Sequence, residues 1–150
     1  MHRLEPGVVV AALLLGVALL ACGAPAGPQI EVENVYARPA AAMGEGATGG
    51  AFMLLRNTGG EADRLVAAQS DVAGTVEIHE TTLEGGVMKM RPVVGGIEVP
   101  AGGQVELKPG GYHVMLIGLT QNLVEGDRFR MVLQFEKSGP LTVEAVVRMP

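Results

Sequence analysis

"PGGYHVMLIGL", residues 109–119, opens on a Pro-Gly-Gly turn and continues into eight residues that are mostly apolar. That pairing of a turn with a short apolar run predicts a β-strand over 112–119. Side chains alternate faces along a strand, so Tyr112, Val114 and Leu116 share one side while His113, Met115 and Ile117 share the other. A histidine and a methionine thus stand together, away from the side that carries Val114 and Leu116.

Outward from this strand the same grammar repeats. "QIEVENVYAR" (29–38), "GAFMLLRNTG" (50–59), "DRLVAAQS" (63–70), "GTVEIHETT" (74–82), "GVMKMRPV" (86–93), "GQVELKPGG" (103–111), "DRFRMVLQFEK" (127–137) and "LTVEAVVRMP" (141–150) are β-rich runs separated by glycine and proline. They predict eight or nine short strands, and no stretch of ten residues has helical spacing. The 22 glycines have no fixed period and are interleaved with Val, Ile and Leu, which suits tight turns and excludes collagen. The fold expected is all-β: one antiparallel sandwich or small barrel of Greek-key type. "PAAAMGEGATGG", 39–50, is the one long loop expected, at an end of the sandwich where sites tend to lie.

Parity bears on the second histidine as well. In "TVEIHET", Val76 and Ile78 share the core side and Glu77 and His79 the other, while Met88 and Met90 face together in "GVMKMRP". A hairpin turning at "LEGG" (83–86) carries Met88 and Met90 back past His79. Three plain readings compete with a metal site at this point. Met53, Met131 and Met149 are expected to be core filler, the histidines could be ordinary surface residues, and Glu77 with Glu80 fits a solvated strand edge. Catalysis finds no support: Ser70 and Ser138 lack a nucleophile-elbow context, and no phosphate loop or zinc-protease spacing occurs.

The first residues are of a different kind. "MHRLEP" precedes "GVVVAALLLGVALLA", an uncharged apolar run too short for an ordinary spanning helix, and predicts an export signal over 1–21. Cys22, behind Leu19, Leu20 and Ala21, resembles the lipobox cysteine of bacterial lipoproteins, and "GAPAGPQ" (23–29) then forms a short tether, with the domain proper over 30–150. Arg3 and Glu5 cancel, so the mature chain keeps the net charge of −5 and offers no basic patch for nucleic acid. Cys22 is the only cysteine, so the domain has neither a disulfide nor a thiolate ligand.

The segment "VEIHETTLEGGVMKMRPVVGGIEVPAGGQVELKPGGYHVMLIGL", 76–119, resembles the signature of the periplasmic copper chaperones called PCuAC proteins. Its motif is His79, ten residues, Met90, twenty-two residues, His113, one residue, Met115. "VENVYARP" before it and "VEGDRFRMVLQFEKSGPLTVEAVV" after it extend the resemblance over roughly 31–148. The resemblance implies a cupredoxin-like β-barrel, Cu(I) held by His79, Met90, His113 and Met115, and delivery of copper to the CuA site of cytochrome c oxidase, directly or through a Sco-like thiol protein. Position 80 is Glu where some members have a second methionine, which leaves open a supporting role for Met43 or Met88.

Chemistry agrees with the implied cargo. Thioether and imidazole form a soft, neutral donor set that suits Cu(I), whereas Mg²⁺ and Ca²⁺ choose oxygen and zinc prefers thiolate, imidazole and carboxylate. The expectation is an extracytoplasmic, lipid-anchored, monomeric copper carrier without catalytic turnover. A copper-buffering or tolerance protein and a metal-free β-sandwich binding module are the alternatives. A blue-copper electron carrier would need a thiolate in the domain.

Overall fold

The computed structural model describes residues 23 and 25–150; the expected signal segment 1–21 and the lipidation residue Cys22 lie outside the described residues. Ten strands form among the described residues: β1 (Ile30–Ala37), β2 (Thr48–Asn57), β3 (Asp63–Gln69), β4 (Ala73–Glu84), β5 (Val87–Pro92), β6 (Ile97–Val99), β7 (Gln104–Leu107), β8 (Tyr112–Leu119), β9 (Arg128–Phe135) and β10 (Gly139–Val147). The predicted runs all become strands. β6 was not predicted, because three residues between glycine pairs are too few to display an alternation, yet Ile97 and Val99 are buried either side of exposed Glu98. β2 also starts inside the expected loop: Thr48, Gly49 and Gly50 have little strand preference, but they pair with Ile117, Leu116 and Met115 of β8. Tertiary pairing overrides propensity there.

The strands follow the order β5-β4-β8-β2-β1-β10-β9-β3-β6, with β7 beside the far half of β2. All pairings are antiparallel except β1 with β10. Ile97 and Val99 from one end of this order share a single core with Ile78, Val114 and Leu116 near the other, so the sheet is rolled over on itself. The chain crosses between its halves after β2, β3, β5, β6 and β8, so strands adjacent in sequence are often apart in the sheet, as in a Greek-key sandwich. Phe135, Leu55, Leu65, Leu116 and Leu133 are fully buried in it, each contributing about 1.5–3 kcal/mol of apolar transfer.

Two local devices set faces and register. Asn34 adopts φ 53° at a bulge between Glu33 and Tyr36. The extra residue shifts parity, so Tyr36 stands beside Phe52 on the outer face and Ala37 enters the core beside Ala51. Gly85 and Gly86, with φ of 60° and 81°, form the two-residue turn between β4 and β5, and two consecutive positive φ values are what a type I′ hairpin turn requires.

Two buried polar side chains fasten the loops opposite. Asn57 Oδ1 accepts from the N–H groups of Gln29 and Gly59, both at 3.0 Å, and its Nδ2 donates to the carbonyls of Glu61 and Val99. The segment read as tether is therefore pinned to the domain; Gly60 N–H also donates to the carbonyls of Pro25 and Gly27. Gly59 lies so close to this segment that a Cβ there would fall 2.2 Å from the Gly27 carbonyl oxygen. Asp63 accepts from the N–H groups of Arg64 (2.7 Å), Lys137 (2.9 Å) and Ser138 (2.9 Å) and from Ser138 Oγ (2.5 Å), clasping the β9–β10 turn. Of the methionines expected as core filler, Met53 and Met131 are buried, but Met149 is 60% exposed because it lies beyond the end of β10, where the chain leaves the sheet.

Burial by itself would raise the Asp63 carboxyl, but the four hydrogen bonds outweigh it and hold the group below the usual aspartate value. A carboxyl depressed on folding adds stability above the unfolded value of about 3.9, and that stability is lost as pH falls through the folded value. Asp63→Ala should cost about 3 kcal/mol at neutral pH, since it strands buried donors. Denaturant titrations at pH 7 and pH 3 should show the penalty shrinking in acid, and an equal penalty at both would refute the ionised clasp.

Candidate metal centre

The outer face of β2, β8, β4 and β5 can be laid out in rows from the pairing. His79 stands directly across from His113 on β8 and from Pro92 on β5. One step along, Met115 is opposite Glu77 of β4 and Gly50 of β2. One step the other way, Met90 is opposite Thr81. The two histidines thus form the middle row, with one methionine to either side on different strands. Their opposite faces are spoken for: Ile78, Val114 and Leu116 lie in the core.

Met90, His113 and Met115 line one cleft of about 300 Å³, together with Arg38, Pro39 and Ala40, with Thr48, Gly49, Gly50 and Phe52, and with Thr81. Both flanks of the expected 39–50 loop therefore border it. His79 is not among its lining residues; its ring reaches the site through His113, with ring centres 5.9 Å apart. Two imidazoles sharing one ion at about 2 Å per bond have centres about 5–6 Å apart, so this spacing suits a common ion. Met90 is 56% exposed at the rim, and its unbranched side chain can swing. Met88 is exposed opposite Leu83, a further step from His79, and Met43 is exposed in the loop.

An aromatic row backs the site. Phe52 lies 6.3 Å from His113 and 5.2 Å from Tyr36, measured between ring centres; the guanidinium of Arg38 sits over Phe52 and that of Arg148 over Tyr36. His113 is buried, and desolvation lowers its pKa below the ordinary histidine value; a hydrogen bond to the Gly111 carbonyl opposes the shift and neighbouring His79 adds to it. The site therefore favours a neutral imidazole with a lone pair to offer.

Sequence reasoning missed several participants. Glu77 is not merely a solvated strand edge: its Oε2 lies 2.7 Å from His79 Nε2. Parity had already placed the two on one side, and only the assumption that strand carboxylates are solvated hid the contact. Phe52, Gly50 and Arg38 gave no signal, because their role comes from β2 lying against β8.

The donors suit a soft ion. Among the described residues no three His, Cys, Asp or Glu side chains converge, so a cage for a hard cation or a zinc-type set is not formed there. His79 Nδ1 is buried and has no hydrogen-bond partner among the described residues. A buried ring nitrogen without a partner beside a second imidazole fits a metal site.

Comparison with known proteins agrees with the fold. The copper-bound PCuAC domain from PmoF2 superposes with a TM-score of 0.64 at 29% identity, covering 81% of this chain and 93% of that domain. The solution structure of CuI-DR1885 from Deinococcus radiodurans gives a TM-score of 0.59 at 30% identity, covering 78% of each chain. In sequence, "Putative lipoprotein Lxx21020" of Leifsonia xyli subsp. xyli is 34% identical over 97% of this chain and 90% of its own length. "Uncharacterized protein RP573" of Rickettsia prowazekii is 31% identical over 82% of this chain and 68% of its own length. Residues 30–147 match the family described as "Putative lipoprotein LpqE-like". The chain belongs to this LpqE-like family, and its cupredoxin-like sandwich is that of the related PCuAC domains.

Proposed function

We propose that this protein is an extracytoplasmic copper carrier that holds Cu(I) between His79, Met90, His113 and Met115 and passes it on without catalytic turnover. The observation that carries the reading is the pairing of His79 directly across from His113, with Met115 and Met90 one step to either side on the same sheet face. Support comes from the solved relatives, of which one is a copper-bound PCuAC domain and another a CuI form. Four neutral donors leave the charge of the ion uncompensated, which favours Cu(I) over Cu(II), and thioethers neither form disulfides nor need deprotonation.

Exchange follows from the exposure pattern. His113 is buried and holds the inner side of the site, while Met90 stands at the rim. An incoming thiolate can displace the rim thioether first, so the ion moves by ligand exchange. The acceptor in this reading is a dithiolate centre, the CuA subunit of cytochrome c oxidase or a Sco-like protein that serves it. The relatives' lipoprotein names support an exported lipoprotein, and in this reading residues 1–21 are the export signal, Cys22 carries the lipid and the monomeric domain stands on the outer side of a membrane.

Met90→Leu and Met115→Leu each remove a soft donor at nearly constant volume, so stability should change by under about 1.5 kcal/mol while Cu(I) affinity falls at least tenfold. Competition with a chromophoric Cu(I) chelator measures this, and wild-type affinity in either variant would make that methionine structural.

Mixing the Cu(I)-loaded domain with an apo dithiolate protein should transfer the metal with no change of oxidation state. Added Cu(II) should bind more weakly and give no intense blue band, since no cysteine sulfur lies in the domain. Proton competition at His113 should set in only below the ordinary histidine value of about 6.5. A strong visible band with reversible one-electron cycling, and no transfer, would instead identify an electron carrier. Mass spectrometry of the native N-terminus should find lipid on Cys22; an unmodified start at Gly23 or beyond would remove the anchor.

A further inference from the structure

We infer that Glu77 is a positioning residue that fixes the tautomer of His79, so that the two histidines offer different ring atoms to the ion: Nδ1 from His79 and Nε2 from His113. This rests on the copper-carrier reading of the cleft and specifies its donor atoms.

Hydrogen placement decides which ring atom each histidine can offer. Glu77 Oε2 lies 2.7 Å from His79 Nε2. Two lone pairs cannot face each other at that distance, so a carboxylate there requires the proton on Nε2, which donates to it. In the neutral ring Nδ1 then carries the lone pair, and Nδ1 is the buried atom with no partner among the described residues. The His79 side chain is 12% exposed, so water does not readily supply the missing partner. On the facing strand the polarity is reversed. His113 Nδ1 lies 3.2 Å from the Gly111 carbonyl oxygen, an acceptor only, so the proton sits on Nδ1 and Nε2 carries the lone pair.

The parity of the sheet makes this a built arrangement. Glu77 and His79 are two apart on β4 and so face one way; the carboxylate belongs to the row of Met115 and the imidazole to that of His113. Nδ1 adjoins the ring carbon that bears Cβ, so an ion on His79 lies close to β4, whereas an ion on Nε2 of His113 is reached at the full length of its side chain. Mixed attachment lets directly opposed histidines share one ion without both rings competing for the same space above the strands. A carboxylate that holds the outer N–H of a ligating histidine also raises the basicity of the other nitrogen, and loss of such a partner typically costs 10–100-fold in metal affinity.

The test uses the exported domain with ¹⁵N-labelled histidine, and Ag(I) as a redox-silent probe alongside Cu(I). Long-range ¹H–¹⁵N spectra of the apo protein should show His79 protonated at Nε2 and His113 at Nδ1. Ag(I) should then shift Nδ1 of His79 and Nε2 of His113. Glu77→Leu should mix the His79 tautomers and weaken Cu(I) binding about tenfold or more, whereas Glu77→Gln, whose amide oxygen still accepts from Nε2–H, should stay within about threefold of wild type. A metal-induced shift at Nε2 of His79, or a Glu77→Leu protein with wild-type tautomer and affinity, would overturn the inference and leave the copper reading intact. Silence of both rings towards Ag(I) and Cu(I) would overturn the copper reading and this inference with it. Should Glu77→Leu fail to fold, the wild-type spectra alone decide which nitrogen binds.

Discussion

The register between β4 and β8 is the constraint on which the site depends. Side chains on a strand change face at every residue, so a slip of one position would turn His113 and Met115 into the core and bring Val114 and Leu116 to the surface. Burial of Ile78, Val114 and Leu116 forbids that slip. The core therefore does more than hold the sandwich together: the free energy of packing on one face sets the relative placement of polar donors on the other. The glycine turn at 85–86 extends the same control to β5, because a two-residue hairpin loop leaves Met90 no choice of partner across the pair.

Around that frame the site is uneven by design of its strands. His113 lies between Phe52 and His79, where loss of water favours the uncharged ring. Met90 belongs to β5, an edge strand whose six residues are all exposed. A carrier needs both properties. In the copper-carrier reading the buried imidazole would give the ion a defined seat, and the exposed thioether would give an incoming ligand somewhere to attack. A centre enclosed on all sides would hold its metal but release it slowly, and one wholly on the edge would not discriminate against water and protons.

Much of this was legible in the chain itself, for identifiable reasons. Period-two alternation with turn residues between runs is the strongest signal a β-protein writes, and it located nine of the ten strands. Parity within single strands put His113 beside Met115 and His79 off the core. What alternation cannot carry is information between strands. The residues separating Met90 from His113 include β6 and β7, and nothing in their pattern says that the β4–β5 hairpin ends beside β8; only the spacing of the family motif suggested it. Phe52 and Arg38 were invisible for the same reason. Glu77 was legible in position but not in role, since whether a carboxylate is solvated or engaged depends on what its neighbours bury. Met149 erred the other way: its apolar character suggested the core, and the end of the sheet left it outside.

The pinning of residues 25–29 to the turn after β2 has a mechanical consequence. Gly50 and Asn57 sit near opposite ends of β2, roughly 24 Å apart at about 3.4 Å per residue. The cleft lies at the first end and the fastened N-terminal segment at the second. With a lipid on Cys22, few residues would separate the anchor from the fastened segment, and the cleft would lie at the far end of β2 from it. An acceptor would then meet the cleft at the end of the domain away from the anchor.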